Sequence, residues 1–169
     1  MTSDQLDIRP AGPEDLADVA GIYEHYVLNT VATFEEVPWT VDAWERKLGD
    51  LAALGLPFLV ADHAGSVRGF AYAAPWRAKP AYRHTVEDTI YLAPDAGGRG
   101  WGTVLLGELV AHSARAGMRE MIAVIADSAT GPSARLHERL GFANAGHLSG
   151  VGYKRGRWID TFLFQRSLA

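Results

Sequence analysis

Two hydrophobic periods divide the chain. From Leu16 to Tyr26 the apolar positions Leu16, Val19, Ala20, Ile22, Tyr23 and Tyr26 recur at helical spacing. Pro13, Glu14 and Asp15 precede them, a proline and two acids suited to a helix start. A short strand over Leu6–Arg9 is predicted ahead of it. A second helix begins after Thr40, an N-capping side chain, and runs through Val41, Trp44 and Leu48 to about Leu54. Gly55 and Pro57 end it.

Beyond Pro57 the period shortens. "PFLVADHAGSVRGFAYAAP" predicts two strands around Ala64-Gly65-Ser66, and Thr85–Leu92 a third, stopped by Pro94. A helix from about Gly102 to Ala116 follows, with Gly117 at its C′ position. "MIAVIA", residues 121–126, is apolar throughout, as in a strand covered on both faces. "PSARLHERLGF" predicts a short helix ending at Gly141, and the tail two strands around a basic turn. The resulting order, β-α-α-β-β-β-α-β-α-β-β, is mixed α/β with long antiparallel stretches. A doubly wound sheet would alternate more strictly.

Composition narrows the function classes. The 169 residues, 48% hydrophobic and 21% charged, suit a single domain spanning 1–169. A formal charge of −4 argues against a broad basic face for nucleic acid. The absence of cysteine removes disulfides, thiolate metal ligands and a cysteine nucleophile, and no metal site is expected. No apolar run reaches the roughly 18 residues that span a bilayer. The polar, acidic start does not resemble a signal peptide, so a soluble cytoplasmic protein without membrane partners is expected.

The candidate chemistry starts at "DAGGRGWGT", residues 95–103, where Gly97, Gly98, Gly100 and Gly102 precede a helix. Glycine-rich loops that open helices commonly cradle phosphate through backbone N–H groups. A P-loop needs Lys where Thr103 stands. A dinucleotide loop belongs in the first βαβ unit, with more chain after it than follows Gly102. An acyl-CoA pyrophosphate loop and a plain flexible turn remain. Arg99 would add a charge-assisted contact to phosphate. In "TVEDTIYL", Glu87 and Asp88 are mid-strand acids that alternation sends to opposite faces, so at most one is expected in a cleft. His137, on the short helix, reads equally as a site residue or a half-buried histidine.

Three further stretches bear on these alternatives: "FAYAAPWRAKPAYRHTVEDTIYL", "IADSATGPSARLHERLGF" and "GVGYKRGRWIDTFLFQR". With the glycine loop, they resemble the GCN5-related N-acetyltransferases (GNAT), and within them the phosphinothricin N-acetyltransferase group, over about Ile8 to Arg166. The resemblance implies a mostly antiparallel sheet splayed in its middle, acetyl-CoA as donor and an α-amino acceptor. Acceptors of the phosphinothricin, methionine sulfoximine or methionine sulfone type, and a homodimer, are implied likewise. A non-catalytic acyl-CoA-binding module and a dinucleotide oxidoreductase stand as alternatives.

The resemblance also implies roles for individual residues. Glu87 is the general base, and His137 assists the leaving thiolate or holds CoA. Donor contacts fall to the backbone of Ile90, Tyr91 and Leu92, to Gly98, Arg99, Gly100, Trp101, Gly102 and Thr103 in the loop, and to Thr130 and Ser133. The acceptor site takes Phe34, Arg77, Lys79, Tyr82, Glu87 and Thr161. Tyr153–Arg157 reads as acceptor support, dimer contact or a solvated turn. Two positions depart from the pattern: Gly97 replaces a Gln or Arg, and Thr130 replaces an Asn. Weaker donor binding is expected from them.

Overall fold

A computed structural model describes residues 5–169. Strand β1 (Leu6–Pro10) leads through a 3-10 turn, Pro13–Asp15, into helix α1 (Leu16–Asn29) and then α2 (Val41–Ala53). Strands β2 (Phe58–His63), β3 (Ser66–Pro75) and β4 (Thr85–Leu92) follow, then α3 (Trp101–Arg115), β5 (Glu120–Ala126), α4 (Pro132–Arg139), β6 (Ala143–Lys154) and β7 (Arg157–Ser167). The element order is the one the hydrophobic pattern predicts.

Local chemistry accounts for the element ends. The Thr40 side chain accepts from the Ala43 N–H and caps α2. Asp15 does more than face a helix dipole. It is buried, takes both Arg9 guanidinium nitrogens at 2.8 Å, and accepts the Gly12 N–H. Both tight hairpins turn on two residues with positive φ, Ala64-Gly65 and Arg155-Gly156. That is the type I′ geometry that matches strand twist.

The seven strands form one sheet in the order β1-β2-β3-β4-β5-β7-β6. Every neighbouring pair is antiparallel except β4 and β5. Helix α3 is the crossover between that parallel pair. On one face α1 and α2 bury an aromatic cluster, in which Trp44 meets Tyr23, Phe58, Phe70 and Tyr72 at centroid distances of 5.3 to 6.1 Å. On the other face α3 supplies Leu105, Leu106 and Leu109, all fully buried.

Strand β5 differs from expectation. Met121, Ala123 and Ile125 are buried, but Val124 on the alternate face is 39% exposed. Helices α1 and α2 pack over β2, β3 and β4, so the apolar run is covered on one face only. Among the described residues no helix is long and apolar enough to cross a membrane.

Candidate active site

The parallel pair makes the site. β4 and β5 are in register over only three positions, Thr85 with Glu120, Val86 with Met121 and Glu87 with Ile122. Both strands run on, to Leu92 and Ala126, but they part after Glu87. The opening is a cavity of about 720 Å³, walled by the diverging strands, the α1–α2 connection and the start of α4. Because α3 follows β4 and α4 follows β5, both helices begin at the carboxyl end of the parallel pair, where open α/β sheets bind ligands.

Glu87 and Asp88 both border the cavity. They still point to opposite faces. The split passes through the sheet, so it exposes both faces of β4 at its edge, which strand alternation alone does not show. Glu87 lies on the α1/α2 face with Tyr72 and Tyr91. Burial pushes its carboxyl above the ordinary value of 4.5; the Asp88 charge adds to this and Lys47 opposes it.

Asp88 lies on the α3/α4 face and binds His137. His137 Nε2 is 2.7 Å from Asp88 Oδ2, and Nδ1 is 2.7 Å from the Ser133 carbonyl oxygen. Both side chains are about 3% exposed. Burial opposes charge on the imidazole, but the Asp88 hydrogen bond, its charge and the Ser133 carbonyl outweigh that, and the His137 pKa is raised. A carbonyl oxygen cannot donate, so Nδ1 carries a proton. The result is a buried histidine–aspartate hydrogen bond joining α4 to β4. Ser128 and Asp127 take no part in it. Asp127 pairs with Arg157 at 2.8 and 3.0 Å, so no Ser-His-Asp arrangement forms.

The loop that opens α3 is built on glycine. Gly100, with φ +76°, is the N-cap of α3, and Gly98 has φ +78°. This is backbone that side-chained residues adopt at a cost. Arg99 stacks on Trp101 at 4.8 Å, and Trp101 lies against His63 at 4.9 Å. Arg68 on β3 pairs with Asp95 and anchors the loop. Gly102 is buried under Leu136 and Leu92, yet a Cβ there would make only ordinary contacts at 3.4 and 3.5 Å. Gly97 has neither a positive φ nor a crowded neighbour. The loop thus leaves open space beside Gly97, Gly98 and Gly100 at a helix start, a setting suited to a pyrophosphate. Thr103 sits in that first turn, and Thr130 is exposed with its N–H on Ser128 Oγ.

Of the remaining expected residues, Ile90, Tyr91, Leu92, Ser133, Phe34 and Thr161 line the cavity. Arg77, Lys79 and Tyr82 do not. They are exposed on the β3–β4 connection, with Arg77 over the Trp76 ring at 5.1 Å. Thr33, Trp39 and Tyr72 line the cavity without having been foreseen. Their apolar or hydroxyl side chains look like ordinary core in the sequence.

A split sheet beside a glycine-opened helix is matched by known proteins. The acetyltransferase (GNAT) domain family matches residues 8–163. The chain belongs to the GNAT acetyltransferases. It is 43% identical to a phosphinothricin N-acetyltransferase of Alcaligenes faecalis, over 95% of this chain and 82% of that one. It is 38% identical to an L-methionine sulfoximine/L-methionine sulfone acetyltransferase of Pseudomonas aeruginosa, over 95% and 94%. The structure of a GNAT superfamily phosphinothricin acetyltransferase from Sinorhizobium meliloti in complex with acetyl-CoA superposes with a TM-score of 0.91. Identity to it is 43%, over 100% of this chain and 90% of that one. The yncA structure from Salmonella typhimurium, with its cofactor acetyl-CoA, gives 0.93 at 35% identity, over 97% and 94%. The chain is therefore an acetyl-CoA-dependent N-acetyltransferase, and the dinucleotide and non-catalytic readings fall.

Proposed function

We propose that this GNAT enzyme transfers acetyl to the α-amino group of a small amino-acid-like acceptor, of the phosphinothricin, methionine sulfoximine or methionine sulfone type, with Glu87 as general base. The observation that carries the reading is the position of Glu87. It is the last residue of β4 paired with β5, in the cavity wall, with its carboxyl raised by burial.

The chemistry needs a neutral amine, a polarised thioester carbonyl and close alignment. An α-amino group titrates near ~8 or above, so most of it is protonated at neutral pH, and each pKa unit costs about 1.4 kcal/mol to overcome. Acetyl-CoA supplies the activated acyl carbon. Glu87 takes one proton from the ammonium and frees the amine. The amine nitrogen then forms a bond to that carbon, the C–S bond breaks, and the second proton leaves the nitrogen for the departing CoA sulfur, after which Glu87 returns its proton to solvent. Beyond Glu87 the β5-facing edge of β4 has no ladder partner in β5. A backbone N–H there is our candidate for polarising the carbonyl.

We assign His137 to positioning. As placed, both its ring nitrogens are hydrogen-bonded, so it offers no free proton to a leaving sulfur. Holding α4 against β4 keeps Ser133 and Leu136 on the donor side of the cavity. Gly98–Thr103 and Thr130 take the CoA phosphates and pantetheine. Phe34 and Thr161 contact the acceptor. Arg77 and Lys79 offer charge for its carboxylate from the connection that begins one residue after Pro75, the partner of Val86. Tyr82 lies on the same connection. A homodimer is supported by apolar side chains on β6 and β7, where Leu148, Val151, Tyr153 and Trp158 are 47–70% exposed. The site of action is the cytoplasm.

A thiol-release assay with saturating acetyl-CoA and a panel of peptides, polyamines, free amino acids, phosphinothricin, methionine sulfone and methionine sulfoximine tests the assignment. Turnover concentrated on the last three is expected. Turnover on peptides or polyamines alone would overturn it.

A further inference from the structure

We propose that Lys154 is a positioning residue for the acceptor: it reaches from the β6–β7 hairpin to fix the loop 30–36, whose residues 32–35 wall the cavity that Glu87 also borders. The claim rests on the reading that this end of the cavity takes the amine.

Lys154 Nζ donates to the Thr33 carbonyl oxygen at 2.8 Å, and the side chain is 5% exposed. A lysine this buried is uncommon unless its charge is engaged. Its target is a hub. The Thr33 hydroxyl lies 2.9 Å from the Tyr23 hydroxyl and accepts the Glu35 N–H at 3.2 Å. Thr33, Phe34 and Glu35 all line the cavity.

Two residues before Lys154, on the same face of β6, lies Gly152. A Cβ there would collide with the Phe34 ring. Its φ is not positive, so the glycine serves space alone. The hairpin therefore grips the loop at two adjacent points, a cation on the Thr33 carbonyl and bare backbone under the Phe34 ring. Arg155 secures the helix end just before the loop, donating to the Leu28 carbonyl of α1 at 3.1 Å.

The register of β6 explains how the hairpin reaches the loop. Pairing with β7 shifts between Leu148 and Gly152, where Gly150 has φ +61° and donates to Asp160 Oδ1 at 2.7 Å. Such bulges bend a strand and re-aim its side chains. Lys154 donates to the loop at Thr33, and the loop reaches β4 through the Tyr91 hydroxyl, which donates to the Ala32 carbonyl at 3.5 Å. Its loss should therefore be felt more by the acceptor than by acetyl-CoA.

The test combines steady-state kinetics with hydrogen exchange in the ligand-free protein. In Lys154→Met the KM for methionine sulfone should rise at least roughly tenfold, the effect of one hydrogen bond from a charged group. The KM for acetyl-CoA should rise clearly less, because the loop meets the donor strand through the long hydrogen bond from the Tyr91 hydroxyl to the Ala32 carbonyl, at 3.5 Å. Exchange over 30–36 should speed up while 101–115 stays protected. Lys154→Arg should recover most of the acceptor KM. Gly152→Ala should give the same acceptor-selective pattern by displacing Phe34, and it carries the test if Lys154→Met does not fold. Unchanged exchange over 30–36, or both KM values rising together, overturns the proposal. A wild type inactive on every acceptor, with the exchange response intact, would remove the acceptor reading and leave the clasp standing.

Discussion

At the residue scale, β4 sends adjacent carboxylates into different chemistry. Glu87 is held partly buried without a full counter-charge, whereas Asp88 is matched by His137. The first arrangement costs stability. The folded-state pKa of Glu87 lies above its ordinary 4.5, so the folded protein binds the proton more tightly. The corresponding stability is fully present below that value and is lost as pH rises through the raised pKa. Glu87→Gln should therefore raise the Tm near pH ~7, with the gain shrinking toward pH ~4. Calorimetry at the two pH values checks this. His137 has the same sign for a different reason. Its raised pKa gives stability that is complete below 6.5 and lost as pH climbs through the folded value. His137→Ala strands Asp88 in a buried site and should cost about 3–5 kcal/mol near neutrality, read by denaturant titration. Glu87 was legible because an acid in mid-strand is unusual and the family pattern selects it. The role of Asp88 was not legible. Alternation excluded one of the two acids from a cleft, and only the split of the strands returns both to it.

At the element scale, nearly every boundary followed from caps, turns and period. Thr40, Ala64-Gly65 and Gly117 sit where capping and turn rules put them. The glycine loop and its place at a helix start were legible, but its glycines are not equivalent. Gly100 carries a left-handed φ, so Gly100→Ala should cost about 1–2 kcal/mol and raise the acetyl-CoA KM while sparing the acceptor KM. Gly97 has open space and no positive φ. Gly97→Arg should leave the Tm unchanged and lower the acetyl-CoA KM by adding charge at the phosphates. Thermal shift and initial rates on the two variants separate the cases. The double coverage expected of β5 failed for want of a helix over Val124, and no local sequence signal reports what packs on a strand from elsewhere in the chain. The grip of Lys154 and Gly152 on the loop 30–36 was hidden for the same reason: more than a hundred residues separate the partners.

At the scale of the whole molecule, one topological event organises the function. A single parallel pair interrupts an otherwise antiparallel sheet, and its partial register opens a passage between two helix starts on one side and an aromatic wall on the other. Glu87 and residues 32–35, from distant stretches of chain, border that split, and the glycine loop opens the helix that follows β4. The proposed homodimer rests on exposed Leu148, Val151, Tyr153 and Trp158. Sedimentation should give twice 18.3 kDa, and Trp158→Glu should shift the protein toward monomer. The central claim is that Glu87 deprotonates an α-amino group at this split. Its most direct test is the pH dependence of kcat/KM for methionine sulfone in the wild type and in Glu87→Gln. The account predicts that the variant loses about 10²–10³-fold near neutral pH and recovers part of that as the free amine becomes abundant. Superimposable profiles for the two proteins would contradict it.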